Sequence, residues 1–181
     1  MSRMKVKDMT LTAVTAALIC IAGPMTIAAG PIPLSLATFA VYLAGAILGK
    51  KYGTLAAALY LLIGLIGVPV FSGFSGGFQK LAGVTGGYLI GYLPCAFCAG
   101  LGAERAEKED RKWMLPAMMV LGTAVLYLIG TAWFMVQTGN PLSAALGLCV
   151  LPFLPGDAAK ILAVTLLAVP VRNAVKRIQN S

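Results

Sequence analysis

The stretch Trp113-Met-Leu-Pro-Ala-Met-Met-Val-Leu-Gly-Thr-Ala-Val-Leu-Tyr-Leu-Ile-Gly-Thr-Ala-Trp-Phe-Met-Val136 contains no charged side chain. Its length is what an α-helix needs to cross the hydrocarbon core of a bilayer, about 17–25 residues. Arg111 and Lys112 bound it on one side, and Gln137-Thr-Gly-Asn-Pro141 bounds it on the other. In lipid every backbone N–H and C=O must be satisfied internally, which leaves helices or closed barrels. Barrel strands alternate apolar and polar residues over about 10 positions. This run is continuously apolar, so it reads as a membrane-spanning helix.

Working outward, five further stretches have the same character: Thr10 to Ala29, Pro33 to Gly49, Tyr52 to Val70, Val84 to Gly102 and Gly156 to Val175. The expectation is an all-α integral membrane protein, one domain over residues 1–181, built as a bundle of six transmembrane helices. Composition agrees. The chain is 59% apolar and 11% charged, against about 45–50% and 25% in a soluble domain, and its mean hydropathy is +0.88. Arg3, Lys5 and Lys7 ahead of the first stretch imitate a signal peptide. No small-residue cleavage site follows, so that stretch is read as a retained span.

Basic residues orient the bundle. Of the 14 Lys and Arg, all except Lys80 and Lys160 fall before the first stretch, between the second and third, between the fourth and fifth, or at the end of the chain, where Arg172 closes the sixth stretch and Lys176 and Arg177 follow it. With six spans these positions share one face, and the positive-inside rule makes that face, with both termini, cytoplasmic. The net charge of +8 is then explained by anionic lipid beside this face. A nucleic-acid partner is not needed, since no basic patch interleaved with aromatics occurs. The outer connections are rich in Gly and Pro: Ala29-Gly-Pro-Ile-Pro33, Val68 to Lys80, and Leu151-Pro-Phe-Leu-Pro-Gly156. Loops of that kind over a rigid scaffold are common places for binding.

Chemistry-bearing residues are few. There is no histidine, and the six acids are Asp8, Glu104, Glu107, Glu109, Asp110 and Asp157. Hydrolytic and metal chemistry therefore lacks its usual reagents, and neither a metal nor a cofactor is expected. Cys95-Ala-Phe-Cys98 has a redox or zinc spacing but no second pair, so all four cysteines are read as small apolar residues within helices. Asp157 is the only carboxylate in apolar sequence. It lies three residues before Lys160, so the two share a helix face. A first-turn acid is favoured by the helix dipole, but a cation one turn further in is not. Lys160 therefore needs a partner: Asp157, an anionic ligand group, or both. In the outer loop Ser72-Gly-Phe-Ser-Gly-Gly-Phe-Gln-Lys80, Ser75, Gln79 and Lys80 are candidate donors within an apolar-walled lid. It lacks the spacing of a phosphate cradle.

Several motifs occur together in order: Pro31-Ile-Pro33, Leu43-Ala-Gly-Ala-Ile-Leu-Gly49, Gly67-Val-Pro-Val-Phe71, Ser75-Gly-Gly77, Thr85-Gly-Gly-Tyr-Leu-Ile-Gly91 and Leu151-Pro-Phe-Leu-Pro-Gly-Asp157-x-x-Lys160. Over residues 8–178 the chain resembles BioY, the biotin-specific S component of energy-coupling-factor (ECF) transporters. The resemblance implies a multi-pass protein of the cell membrane that captures biotin near the outer face. A transmembrane T component and two ATPase subunits would drive import. It also implies that Ala13-x-x-x-Ala17 contacts the T component. One departure is Gly83-Val-Thr-Gly-Gly87, where the family often has Pro at the second position. For a ureido ligand, Asp157 would accept N–H bonds and Lys160 would donate to the carbonyl. Phe71, Phe74 and Tyr88 would supply apolar walls, and Lys80 or Gln79 would meet the ligand carboxylate. Competing readings are an S component for another vitamin, a membrane-embedded enzyme, for which no second membrane carboxylate is present, and a channel, for which polar residues gather at one face only.

The charge partition has a direct test. In a cysteine-free background, cysteines at Ser75 and Asn140 should react with an impermeant thiol reagent added to intact cells, and one at Ser181 should not. The opposite labelling would reverse the orientation.

Overall fold

The computed structural model describes residues 6–27 and 34–180. The expected outer connection Ala29–Pro33 falls wholly outside them, as do Arg3, Lys5 and Ser181. The elements are α1 (Val6–Ala22), β1 (Thr26–Ile27), β2 (Leu34–Ser35), α2 (Ala37–Leu65), α3 (Phe78–Ala82), α4 (Gly86–Lys108), α5 (Met114–Thr138), α6 (Leu142–Cys149) and α7 (Leu154–Asn180). Among the described residues the regular structure is helical apart from the two-residue strands, which pair antiparallel with Thr26 opposite Ser35. Among the described residues, four helices are long and apolar enough to cross a membrane: α2, α4, α5 and α7, the last over Leu154–Arg177.

Three features differ from the hydropathy reading. The first helix stops at Ala22 rather than near Ala29, because Gly23 and Pro24 turn the chain there. A Cβ on Gly23 would lie 2.2 Å from the Val70 carbonyl oxygen, so only glycine permits that approach. Two stretches read as connections contain short helices, α3 and α6. Finally, α2 runs through both the second and third apolar stretches, yet it is not straight. Gly49 has φ 80° and ψ 175°, a region almost restricted to glycine. A Cβ on Gly53 would lie 2.5 Å from the Gly45 Cα, whereas eight residues of continuous helix would separate them by about 12 Å. The chain therefore doubles back at Gly49, and the two arms of α2 pack against each other.

Small residues make this possible. Gly45 faces the Ala96 carbonyl of α4, and Gly100 of α4 faces the Lys50 backbone, both closer than a side chain would allow. Buried Ala44, Ala46, Ala56, Ala57, Ala99 and Ala103 line the same region. Lipid removes the hydrophobic drive between helices, so close backbone packing of small residues takes its place. Large apolar residues point the other way: Leu18, Ile21, Leu62, Leu128, Leu162 and Leu166 are all exposed.

The doubled-back end is held by polar contacts. The Lys50 N–H donates to Glu104 Oε1 at 3.0 Å. Arg172 Nη1 donates to the Ala46 carbonyl at 2.8 Å, which satisfies an acceptor that the break at Gly49 leaves without a helical partner. The same guanidinium pairs with Glu107, which also pairs with Lys176. Thus α7 is attached near its C-terminal end to both α2 and α4.

Candidate ligand-binding site

At the opposite end of α7, Pro155 and Gly156 lie in the first turn. Proline is tolerated there because the N–H it lacks would have no helical partner. Asp157 follows and is only 5% exposed. Lys160 Nζ donates to Asp157 Oδ1 at 2.9 Å and to the Ser35 carbonyl at 2.9 Å. The second carboxylate oxygen accepts the Tyr127 hydroxyl at 2.6 Å. Ser35 is itself fixed: its hydroxyl donates to the Gly23 carbonyl at 3.0 Å and accepts the Ala37 N–H at the start of α2, at 2.9 Å. A single ion pair thus joins α7, α5 and the joint between α1 and α2.

Above this pair lies a cavity of about 40 Å³ bordered by Phe71, Ser72, Lys80, Tyr88, Tyr127, Asp157 and Lys160, among others. Ligand pockets usually measure about 300–1,000 Å³. A space of about 40 Å³ admits only a few atoms, so a larger ligand requires part of this lining to move. Phe71 and Ser72 belong to a tight hairpin. Phe71 and Ser75 exchange backbone hydrogen bonds, 2.8 Å and 3.3 Å, with Gly73 and Phe74 at positive φ between them. Its anchors are the Gly73 N–H on the Pro24 carbonyl and the Gly77 N–H on the Gly64 carbonyl. The Phe71 ring lies edge-on to Tyr60, 5.4 Å between centroids, directly over Gly64, where any side chain would displace it.

The structure gathers some of the sequence candidates and separates others. Asp157, Lys160, Tyr88, Phe71 and Lys80 border the cavity. Tyr88 is held by its hydroxyl at 3.3 Å from both Thr131 Oγ1 and the Cys149 carbonyl, and Gly130 leaves room for its ring. Phe74 is 74% exposed and lies in an outer groove with Met25 and Leu36, because the hairpin turns it away from Phe71. Gln79 is exposed and outside the cavity lining. Ser75 donates its hydroxyl to the Ser72 carbonyl at 2.8 Å, within its own turn. Ala13 and Ala17 are exposed along α1, away from the cavity.

Tyr127, Ser35, Thr38, Tyr92 and Phe153 also border the cavity, and sequence reasoning did not single them out. For Tyr127 a signal was present. Thr123, Tyr127 and Thr131 recur every four residues, so they form one hydroxyl stripe along an otherwise apolar helix. Each finds a partner: Thr123 with Tyr42 at 2.5 Å, Tyr127 with Asp157, and Thr131 with Tyr88. Ser35 gave no such signal, since its carbonyl is what Lys160 uses.

Both side chains of the ion pair are almost wholly buried. Removing one partner of such a pair typically costs about 3–5 kcal/mol, because the other charge is left uncompensated. Lys160→Met should therefore lower the thermal unfolding midpoint in detergent more than the double replacement Asp157→Asn/Lys160→Met. Equal midpoints would show that Tyr127 alone suffices to hold the carboxylate.

Residues 1–177 match the BioY family. The chain is 38% identical over 165 residues to a probable biotin transporter BioY of Pyrococcus horikoshii, covering 91% of this chain and 96% of that protein. It is 40% identical over 156 residues to the biotin transporter BioY of Thermotoga maritima, covering 86% and 90%. The crystal structure of an S-component for biotin from an ECF-type ABC transporter superposes with a TM-score of 0.81 at 28% identity, over 99% of this chain and 96% of that one. The match extends over nearly the whole chain in sequence and in fold, and the chain belongs to the BioY family.

Proposed function

We propose that this protein is the biotin-binding substrate-capture subunit of an ECF vitamin importer. The observation that carries this reading is the buried Asp157–Lys160 pair at the edge of the cavity. Biotin presents a ureido group with two N–H donors and one carbonyl acceptor, an apolar bicycle and a valerate tail. An ionised carboxylate has about four lone-pair positions, and Lys160 and Tyr127 take one on each oxygen. The remainder suit the ureido N–H groups. The ammonium has three N–H donors, of which two go to Ser35 and Asp157, and the third suits the ureido carbonyl. Phe71 and Tyr88 supply walls for the bicycle. Lys80 is the better candidate for the carboxylate, since it borders the cavity and Gln79 does not. Phe74 and Ser75 reach the ligand only if the hairpin opens. Similar proteins are named for biotin, which favours it over another vitamin, and those names describe transporters rather than enzymes.

The protein is a multi-pass protein of the cell membrane. The proposed topology is six crossings, by α1, the two arms of α2, α4, α5 and α7, with both termini cytoplasmic. The doubling back at Gly49 supports it, since the break lies beside Lys50 and Lys51. The proposed partners are a T component and two ATPase subunits, with Ala13 and Ala17 as the T-component contact. Their exposure on α1 beside Val14 and Leu18 supports that role, because small residues let another helix approach closely.

Isothermal titration with biotin tests the capture site. A hydrogen bond to a charged group is worth about 1.5–3 kcal/mol, so Asp157→Ala should weaken binding roughly 10- to 150-fold. Lys80→Ala should cost less than about fivefold, as expected for a partly exposed charge, and Gln79→Ala less again. A folded Asp157→Ala with wild-type affinity would refute the assignment.

Coupling is tested separately. Trp at Ala13 or Ala17 should abolish biotin uptake by cells carrying the whole transporter while leaving titrated affinity unchanged. Loss of binding as well would place these residues in the bundle's own packing.

A further inference from the structure

The hydroxyl stripe on α5 ties three neighbours together, and only its middle member reaches a charge. Thr123 bonds Tyr42 of α2, Thr131 bonds Tyr88 of α4, and Tyr127 bonds Asp157 of α7. Lys160 holds Oδ1 from the same helix through a flexible four-carbon stem. Tyr127 holds Oδ2 from a different helix through a rigid ring with two rotatable bonds. The torsion that sets a carboxylate plane is broad, so the rigid donor is the one that fixes its direction.

Tyr127 and Asp157 also border a second space. It is a groove of about 460 Å³ between α5 and α7, lined also by Val120, Ala124, Ile161 and Leu162. The same two residues line the smaller cavity, so the Tyr127–Asp157 contact is common to both spaces.

We propose that Tyr127 is the positioning residue of this site, aiming the Asp157 carboxylate at the ligand's ureido N–H donors. The proposal rests on the biotin reading above and deepens it, making Tyr127 a determinant of selectivity for N–H donors rather than of affinity in general. Holding the acceptor in place before binding removes an ordering cost that the ligand would otherwise bear.

The experiment titrates the purified full chain with biotin and with the two cyclic carbamates in which one ureido N–H is replaced by ring oxygen. These keep the shape of biotin and delete a single donor. Wild-type protein should prefer biotin over at least one carbamate by roughly tenfold or more. Tyr127→Phe keeps the ring. It should weaken biotin roughly 5- to 20-fold while barely changing that carbamate, so the preference collapses. The loss should not add to that of Asp157→Ala, so the double variant, which leaves no carboxylate without its donor, should bind as weakly as Asp157→Ala alone. Biotin affinity unchanged in Tyr127→Phe, an equal loss for all three ligands, an additive double variant, or a wild type indifferent to the missing N–H would each overturn the proposal. Failure of the wild type to bind biotin at all is a separate result, and it would remove the functional reading along with this one.

Discussion

The rest of the ligand-binding end depends on one buried ion pair. Asp157 and Lys160 lie on the same face of α7 and are nearly excluded from solvent. A charge pair at that depth persists only if its remaining donors and acceptors are matched. The matching groups come from two places distant in sequence, the Ser35 carbonyl and the Tyr127 hydroxyl. Because Ser35 also bonds Gly23 and the first turn of α2, the pair positions the end of α1 and the start of α2 as well as α7. What would be an expensive defect in an apolar core becomes the point on which the elements around the cavity are assembled.

Elsewhere the bundle is held by close contact rather than by charge. Gly45, Gly53 and Gly100 bring the two arms of α2 and α4 together at backbone distance, and the buried alanines extend that contact. Helix α7 is the exception. Its outward face is lined with Leu162, Leu166 and Leu167, all exposed, and one groove lies between it and α5, another between it and α4. It is fastened at two places by charged groups: Asp157 and Lys160 at one end, Arg172 and Lys176 at the other. Between those ends Val164 and Ala168 are buried against the bundle, so α7 combines charged fastenings at both ends with an apolar contact between them.

The hairpin beside the cavity is held chiefly through one aromatic residue. Phe71 is wholly buried against Tyr60 and over Gly64, which fixes the root of the loop. Beyond it, Gly73, Phe74 and Gly77 take backbone conformations with positive φ, and Phe74 is turned outward. The loop is therefore anchored through Phe71 and through the Gly73 N–H on the Pro24 carbonyl, and the Phe74 side chain stands away from the core.

The sequence alone determined the class of the protein and the position of its charges. Continuous apolar runs of spanning length leave lipid as the only suitable environment. The pairing of Asp157 with Lys160 was legible because an i, i+3 spacing on a helix is local geometry. The break near Gly49 was legible because Lys50 and Lys51 interrupt the apolar pattern there. Which loop residues turn toward the cavity was decided only by the tertiary structure. Phe71 and Phe74 are chemically alike, and a three-residue turn with positive φ places one in the core and the other outside it. Lys80 and Gln79 are adjacent, yet one borders the cavity and the other does not. The partners of the ion pair were beyond the sequence for the same reason. A backbone carbonyl at Ser35 has no side-chain signature, and the reach of Tyr127 to Asp157 exists only once α5 and α7 are packed side by side.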